Sequence, residues 1–284
     1  MATICLDIGG TKIAGAVVRK NKVSNRKKIP TPKKSLKEFL STISDLISDI
    51  AKGGPITSIN ICVPSFFNAK KGIVLESPNL PWPSIPLGKF IKKEFGIFPK
   101  IQNDANCFAL GQLHFGKGYK NFACLTLGTG IGSGLILDGK LYTGRGAASE
   151  LGHTIVKPDG LRCSCGNIGC IESYIAKRAF EMLSNERFGE VLTPKELAVR
   201  ARKGDRKAKA IFNEIGRYLG ILCANITNAL DVEAIILGGG ISKAGDLLIT
   251  PARRSMKNLL FVPKEAKILR STLQDATLLG ASKL

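Results

Sequence analysis

The feature that most constrains the fold of this chain is an apolar run with a glycine turn that occurs twice. Cys5-Leu-Asp-Ile-Gly-Gly-Thr-Lys-Ile-Ala-Gly15 and Cys124-Leu-Thr-Leu-Gly-Thr-Gly-Ile-Gly-Ser-Gly134 lie 119 residues apart and share Cys, Leu and two glycines at equivalent positions. Both copies are typical of strand, tight turn and strand. Short glycine-rich hairpins can match by chance, but each copy opens a half with α/β patterning. We therefore predict an internal duplication and a two-lobed α/β molecule.

The other elements follow from hydrophobic periodicity. Apolar residues at three- and four-residue steps predict helices over residues 38–52 and 208–230. Two shorter helices are expected over 89–95 and 104–115. Apolar runs predict buried strands over 59–63 and 232–237. The proline-rich stretch 77–86 suits neither a helix nor a central strand, so we predict an ordered loop there.

The length of 284 residues allows two domains of modest size. We expect residues 1–105 together with 272–284 to form a small N-terminal lobe. Residues 106–271 are expected to form a large C-terminal lobe that carries a metal-binding loop over 153–170.

The net charge is unusual, because 42 Lys and Arg face 22 Asp and Glu to give +20. Nine basic and no acidic residues lie between Arg19 and Lys37. Such a stretch can bind nucleic acid or an anionic membrane, or it can be the solvated edge of a Lys-rich protein. No DNA- or RNA-binding motif accompanies it, so we favour the edge and expect no nucleic-acid partner.

Location is predicted from two further patterns. The N-terminus reaches a charged residue at Asp7 and lacks the pattern of a signal peptide, and no run of 18 apolar residues occurs. We therefore expect a cytoplasmic protein with no membrane partner. The isolated cysteines lie in apolar runs and are predicted to be core residues; they are Cys5, Cys62, Cys124 and Cys223.

The strongest local signal is a cluster of soft ligands within 18 residues, which comprises His153, Cys163, Cys165 and Cys170. Thiolate and imidazole ligands on a turn-rich loop are typical of a closed tetrahedral Zn²⁺ site. A disulfide is the alternative. Three cysteines leave one unpaired and the expected compartment is reducing, so we favour structural zinc. Bound zinc would order the flanking carboxylates of Glu150 and Glu172.

Three glycine-rich turns each end an apolar strand, at residues 7–12, 127–134 and 237–241. Glycine lets successive backbone N–H groups approach phosphate oxygens, although tight hairpins also favour glycine. Together the turns indicate a nucleotide, yet the spacing matches neither a Walker site nor a Rossmann fingerprint. Asp7 suits Mg²⁺–phosphate chemistry, and a buried carboxylate at a strand end is the alternative.

Asp104 lies at the junction between a short apolar strand and a predicted helix. It has two possible roles, because aspartate caps helices and also serves as the base that accepts a hydroxyl proton in phosphoryl transfer. Spacing does not decide between them.

Taken in order, the motifs resemble those of the ROK-family (repressor, ORF, kinase) sugar kinases, and within that family they are glucokinase-like. They are Asp7-Ile-Gly-Gly-Thr-Lys12, Asn103-Asp-Ala-Asn106, Gly128-Thr-Gly-Ile-Gly-Ser-Gly134, Glu150-Leu-Gly-His153 and Cys163-x-Cys-Gly-x-x-Gly-Cys170-x-Glu172. The resemblance spans essentially the whole chain. It implies the actin-like, hexokinase-type ATPase fold, with a mixed sheet in each lobe, a cleft between the lobes and a zinc-stapled loop in the second. It also implies ATP, catalytic Mg²⁺, structural Zn²⁺, an aldohexose such as glucose, and a homodimer.

The resemblance also implies roles for individual residues. Asp104 corresponds to the catalytic base that acts on the 6-hydroxyl. The residues that correspond to sugar ligands are Asn79, Asn103, Asp104, Glu150, His153 and Glu172. The residues that correspond to nucleotide contacts are Asp7, Gly9, Gly10, Thr11, Lys12, Thr129, Gly130, Gly238, Gly239 and Gly240. One ring nitrogen of His153 would bind zinc, and the other would face the sugar.

Other readings within and outside this class remain open. N-acetylglucosamine, N-acetylmannosamine and fructose are rival acceptors. Ser65 stands where the family usually has glycine after proline, and we expect it to alter the pocket wall or the sugar preference. A sugar-responsive repressor would need a DNA-binding region ahead of the first turn, which begins at residue 7. A catalytically silent sugar sensor is disfavoured by the retention of Asp7, Asp104 and the glycine turns.

Overall fold

The computed structural model describes residues 2–52, 54–75 and 80–284. Of the predicted site residues, Asn79 alone lies outside these ranges. The chain divides into two compact units, Met1–Gly118 with Leu273–Leu284 (unit 1) and Tyr119–Thr272 (unit 2).

Unit 1 contains strands and helices in the order β1 (Thr3–Ile8), β2 (Lys12–Arg19), β3 (Lys22–Pro30), α1 (Leu36–Ala51), β4 (Ser58–Val63), β5 (Phe67–Asn68), β6 (Ile73–Val74), α2 (Leu87–Phe95), β7 (Lys100–Asn103) and α3 (Asp104–Phe115). The C-terminal segment adds α9 (Ala276–Ala281). The main sheet has the order β3-β2-β1-β4-β7, in which β1, β2 and β3 are antiparallel and β1, β4 and β7 are parallel.

Helices cover both faces of the unit 1 sheet. On one face the apolar stripe of α1 (Phe39, Ile43, Leu46, Ile47 and Ile50) packs on Ile4, Leu6 and Ile13. On the other face α3 and α9 pack over Cys5 and Ala16. Side chains that alternate along β1 thus enter two separate apolar layers, as expected for a strand buried on both faces.

Unit 2 contains, in order, β8 (Phe122–Leu127), β9 (Ile131–Leu137), β10 (Lys140–Tyr142), α4 (Glu172–Ile175), α5 (Lys177–Phe188), α6 (Pro194–Arg202), α7 (Arg206–Leu230), β11 (Ala234–Gly238), α8 (Asp246–Lys257) and β12 (Lys267–Arg270). Short 3-10 turns span Leu151–His153 and Ile241–Ala244. The long helix α7 buries its apolar side in the core of this unit and packs closely on α8, where Gly216 faces Pro251.

The predicted duplication is confirmed by the topology. The unit 2 sheet has the order β10-β9-β8-β11-β12, with β8, β9 and β10 antiparallel and β8, β11 and β12 parallel. Each position in this order corresponds to one in the unit 1 sheet, and the two glycine hairpins occupy the same place in both. The predicted α/β fold with a mixed sheet in each half is therefore confirmed.

The basic stretch between Arg19 and Lys37 contains the whole of β3, which is an edge strand. Its lysines and arginines are exposed. Charged side chains on an edge strand oppose pairing with another chain. The sequence predicted a solvated edge but no strand. The structure shows why: a bulge opposite Gly15–Val17 breaks the alternation of the strand, and Asn25 there has a φ of 49°.

The boundary between the units differs from the predicted one at 105/106. The structure keeps all of α3 in unit 1 and ends the first segment at Gly118. The reason is the contact of α3 with α9. A Cβ on Gly111 would lie 2.1 Å from the Ala276 carbonyl oxygen, and one on Gly280 would lie 1.7 Å from the Cys107 carbonyl oxygen.

Among the residues that the structure describes, no helix combines the length and the apolar character that a bilayer crossing needs.

We predict that Gly280→Ala destabilises the protein by about 1–3 kcal/mol, because the added methyl group collides with helix backbone instead of a movable side chain. Thermal unfolding followed by circular dichroism measures this. The matched control is Gly240→Ala, since a Cβ there meets open space and φ is −65°. Equal melting temperatures for the two variants would contradict the close packing of α3 and α9.

Candidate active site and metal centre

The first glycine turn joins β1 to β2 in unit 1 and carries Gly9, Gly10 and Thr11, with Lys12 opening β2. The Gly9 N–H donates to the Lys12 carbonyl oxygen at 2.9 Å. Thr31, which lies outside the turn, holds it with two hydrogen bonds. Its hydroxyl donates to the Gly9 carbonyl oxygen at 2.7 Å, and its backbone N–H donates to the Thr11 carbonyl oxygen at 3.1 Å. Sequence reasoning missed Thr31, since nothing local links it to the turn.

Asp7 and Asp104 lie at the same edge of the unit 1 sheet. Asp7 pairs with Cys62 on β4, and Cys62 pairs with Gln102 on β7, two residues before Asp104. Burial, followed by the negative charge of Asp104, raises the pKa of Asp7 to about 7, against a smaller lowering by Lys28. Burial also raises the pKa of Asp104, although the N–H of Ala105 opposes the shift. Two desolvated carboxylates therefore share this edge.

The structure separates the two roles considered for the Asn103-Asp104 pair. Asn103 is the N-cap of α3, and its Oδ1 accepts hydrogen bonds from Ala105 N at 2.9 Å and Asn106 N at 3.2 Å. Asp104 is the first residue inside the helix, and its Oδ1 accepts from Ala105 N at 2.8 Å. Since Asn103 already caps the helix, the fold does not need Asp104 for that purpose.

Gln102 supports this junction and had no predicted role. Its Oε1 accepts from Asn103 N at 2.8 Å and from Asn106 Nδ2 at 3.1 Å. Within the described ranges, Asn106 Oδ1 and Ser65 Oγ are buried without a hydrogen-bond partner. Ser65, the departure from the family pattern, thus contributes a polar atom that the described residues do not satisfy.

The second and third glycine turns adjoin each other in unit 2. Gly128–Gly130 follow β8, and Gly239, with a φ of 80°, backs onto the last residue of that strand. A Cβ on Gly239 would lie 2.3 Å from the Leu127 carbonyl oxygen, so only glycine fits. Exposed backbone at Thr129, Gly239 and Gly240 lies at this end of the unit 2 sheet.

The four predicted zinc ligands meet in unit 2. The ligand atoms of His153, Cys163, Cys165 and Cys170 all lie within 4.8 Å of one another. His153 Nδ1 is 3.7 Å from Cys163 Sγ, and Cys165 Sγ is 3.7 Å from Cys170 Sγ. All eight cysteines are free thiols, and the four predicted as core are buried.

The donor set fits tetrahedral zinc. Bonds of about 2.3 Å to sulfur and about 2.0 Å to nitrogen at tetrahedral angles separate two sulfurs by about 3.8 Å and a sulfur from a nitrogen by about 3.5 Å. Both observed separations are close to these values. The loop backbone is held independently, for example by Cys163 N donating to the Asn167 carbonyl oxygen at 2.8 Å and by Val156 N donating to that of Gly169 at 2.9 Å.

Glu172 connects the metal loop to the second glycine turn. Its Oε2 accepts from Ile131 N at 2.7 Å, and its Oε1 lies 3.3 Å from Ser164 Oγ. A Cβ on Gly130 would lie 2.6 Å from Glu172 Oε2, which explains the glycine. Glu150 is exposed and precedes the 3-10 turn that ends at His153. Unit 2 therefore brings Glu150, His153 and Glu172 to the margin of one loop.

Known proteins with similar sequences identify the family to which this chain belongs. A family model described as the ROK family matches residues 3–284. The chain belongs to the ROK family. This ROK protein is 36% identical over 279 residues to the glucokinase of Streptomyces coelicolor, covering 91% of the chain and 88% of the relative.

Two further relatives bear on function. A crystal structure of a ROK family glucokinase from Streptomyces griseus in complex with glucose and AMPPNP superposes with a TM-score of 0.88 at 32% identity, covering 100% of this chain and 98% of that one. The N-acetyl-D-glucosamine kinase of Haemophilus influenzae is 34% identical over 253 residues, covering 84% of the chain and 83% of the relative. Glucose and N-acetylglucosamine kinases thus both occur among the relatives of this ROK protein.

We predict that the purified protein binds about one zinc per chain and that Cys170→Ser loses most of it, because three remaining ligands hold the ion more weakly than four. Elemental analysis after dialysis measures the ratio. Asn167→Ala, within the same loop but outside the ligand set, is the control and should keep its zinc. A zinc content that is unchanged in Cys170→Ser would show that Cys170 is not a ligand.

Proposed function

We propose that this ROK protein is an ATP:hexose 6-phosphotransferase that phosphorylates the 6-hydroxyl of an aldohexose, with glucose as the preferred acceptor. The observation that carries the proposal is the state of Asp104. It lies at the strand–helix junction, it is not required as the N-cap, and its pKa is raised. A carboxylate whose pKa is nearer to neutrality is a better proton acceptor than an ordinary one.

Asp104 acts as the general base in this proposal. Among the described residues, only backbone N–H groups at the start of α3 donate to its carboxylate. The carboxylate can therefore accept the proton of a sugar hydroxyl as the oxygen attacks phosphorus. Asn103 Oδ1 is engaged by the helix, so Nδ2 is the atom that we assign to a sugar oxygen.

The unit 2 residues are assigned to sugar hydroxyls. The side-chain oxygens of Glu150 and Glu172 would accept hydrogen bonds from hydroxyl groups of the sugar. His153 Nδ1 faces Cys163 Sγ, which leaves Nε2 for the sugar. When bound, zinc would order this loop, and the four ligands described above would hold it. Asn79 stays in the proposal as a further sugar ligand, from the resemblance alone.

The nucleotide is assigned to the glycine turns. Backbone N–H groups at Gly9–Thr11 in unit 1 and at Thr129–Gly130 in unit 2 suit phosphate oxygens, and Lys12 adds a cation. Gly238–Gly240 are assigned to the nucleoside. Asp7 supplies the hard oxygen ligand that Mg²⁺ prefers, directly or through water, and Mg²⁺ would neutralise phosphate charge.

The identity of the acceptor sugar is the most specific part of the proposal. Glucokinases and an N-acetylglucosamine kinase have similar identity to the chain, so N-acetylglucosamine is the main rival, followed by N-acetylmannosamine and fructose. ATP as donor and a Cys-rich zinc loop fit a reducing cytoplasm, which we propose as the compartment. A homodimer is proposed from the resemblance.

We predict ADP release with glucose, Mg²⁺ and ATP, and a loss of about 10²–10⁴-fold in kcat in Asp104→Asn, because the amide cannot accept the proton. A coupled assay should compare glucose, N-acetylglucosamine, N-acetylmannosamine, mannose and fructose. Glucose affinity measured by calorimetry should change little in the variant.

The control for Asp104→Asn is Asp45→Asn, a change on α1 outside the proposed site. This variant should retain the wild-type rate. No turnover of any sugar by the wild type would contradict the kinase, a higher kcat/KM for N-acetylglucosamine would replace glucose, and near-normal turnover by Asp104→Asn would remove Asp104 as the base.

We predict that zinc removal weakens glucose binding roughly tenfold, because charge-assisted hydrogen bonds from the loop are lost, while ATP affinity changes less than about twofold. Calorimetry before and after chelation measures both. Added zinc should restore glucose affinity, and chelator should have no further effect on Cys170→Ser. If apo protein kept its glucose affinity, the loop would have no role in sugar binding.

A further inference from the structure

The carboxylate of Glu172 lies against the second glycine turn of unit 2, and its two oxygens have different partners. Oε2 accepts a hydrogen bond from Ile131 N at 2.7 Å. Oε1 accepts one from Ser164 Oγ at 3.3 Å and lies 3.8 Å from Cys163 Sγ. A carboxylate offers about four acceptor positions, so at least one remains for a sugar hydroxyl after these contacts.

Gly130 fits directly against this carboxylate. A Cβ on Gly130 would lie 2.6 Å from Glu172 Oε2 and 3.3 Å from Glu172 Cδ, and the three atoms nearest to it all belong to Glu172. The φ of Gly130 is not positive, so its backbone would tolerate alanine. The contact with Glu172 is therefore the physical reason for glycine at this position.

The segment that carries Glu172 holds the turn at a second point. Glu172 opens α4, and Lys177 opens α5. The Lys177 N–H donates to the Gly128 carbonyl oxygen at 3.0 Å, and Gly128 N donates to the Gly130 carbonyl oxygen at 3.0 Å. The segment thus binds the start of the turn through its backbone and the end of the turn through the Glu172 side chain.

The apolar core fixes the backbone on both sides of Glu172. Ile171 and Ile175 are buried in the same core cluster as Leu127 and Ile131, the residues that flank the turn. Close packing of this kind leaves little freedom to shift the backbone. The core thus places the carboxylate beside the turn, and the two stay in contact whether or not zinc is bound.

We infer that Glu172 is a positioning residue for the second glycine turn as well as a sugar ligand, so that sugar and nucleotide strengthen each other's binding through one carboxylate. The inference rests on the proposed function, which assigns the sugar to Glu172 and phosphate oxygens to Thr129 and Gly130. A sugar hydroxyl on the carboxylate restricts its motion, and the restricted carboxylate holds Ile131 N and the turn. The first ligand therefore orders groups that the second ligand would otherwise have to order.

Thermodynamic linkage makes this coupling reciprocal, because the factor by which glucose tightens the nucleotide equals the factor by which the nucleotide tightens glucose. Calorimetry with glucose and Mg·AMPPNP, an ATP analogue that is not hydrolysed, measures both factors without turnover. We expect a factor of about five or more in wild type and of about one in Glu172→Ala.

The control for this measurement is Glu233→Ala, at the opposite end of β8. Glu233 Oε2 accepts from Lys120 N and Asn121 N, both at 2.8 Å, so this variant also removes a carboxylate that holds backbone N–H groups of unit 2. It should retain the wild-type coupling factor. A general loss of stability in unit 2 would change both variants alike.

A sharper test moves the carboxylate without removing it. In Gly130→Ala the added methyl group displaces Glu172 Oε2 from Ile131 N, so glucose affinity measured without nucleotide should fall roughly threefold to tenfold. The matched control is Gly128→Ala, since a Cβ there meets nothing within 4 Å. Its glucose affinity should change less than about twofold. In a Glu172→Ala background, Gly130→Ala should have no further effect on glucose, because no carboxylate remains to be displaced.

A further readout needs no ligand. The amide hydrogen of Ile131 is bonded to Glu172 Oε2, so its exchange with solvent reports how firmly the carboxylate holds the turn. Exchange should be faster in Gly130→Ala and Glu172→Ala than in wild type or Gly128→Ala.

The outcomes separate this inference from the proposed function. Equal glucose affinities of Gly130→Ala and Gly128→Ala, in a protein whose wild type phosphorylates glucose, would overturn the role of Glu172 and leave the kinase intact. A wild type that binds and phosphorylates none of the five sugars would overturn both. If the wild type binds N-acetylglucosamine in place of glucose, the same variants are compared with that sugar, and a loss of affinity confined to Gly130→Ala would support the inference.

Discussion

The parallel pairing of the central strands is the constraint on which the rest of the site depends. In a parallel pair the carboxyl ends lie at one edge, so whatever follows each strand is gathered there. In unit 1 this brings the end of β1, with Asp7, to the same edge as the end of β7, with Asp104. In unit 2 it brings the turn after β8 beside the turn after β11. Duplication of one topology therefore supplied two edges, and each acquired its own polar groups.

The two carboxylates at the unit 1 edge lower the stability of the fold, and packing elsewhere in unit 1 offsets this cost. Desolvation raises the pKa of both carboxylates, and the charge of Asp104 raises that of Asp7 further, while neither forms an ion pair within the described residues. The compensation comes from packing behind the edge, where α9 from the C-terminal segment fits against α3 with glycines at both contacts. The last residues of the chain thus support the helix that begins with Asp104, although they are far from it in sequence.

The sequence predicted those features whose determinants are local. The periodicity of α1 and α7, the two glycine hairpins and the Cys/His cluster all lie within short windows, and the structure has each of them. Features set by tertiary pairing were missed or misplaced. The strand β3 contains few apolar residues and is interrupted by a bulge, and the unit boundary depends on α9. The contact of Glu172 with Ile131 joins residues 41 positions apart, so no spacing rule could find it.

The bulge near Asn25 also affects how the charged side chains around Asp7 can change during evolution. Asn25 occupies the left-handed region, and its amide donates to the Ile50 carbonyl oxygen at 2.8 Å, which secures the extra residue on α1. An edge strand has one neighbour, so gaining or losing a residue there disturbs a single ladder. A deletion at this point would leave the sheet intact but exchange the side chains presented to its two faces. A change in length at the rim therefore alters which charged side chains of β3 share a face with Asp7, without any substitution on β1.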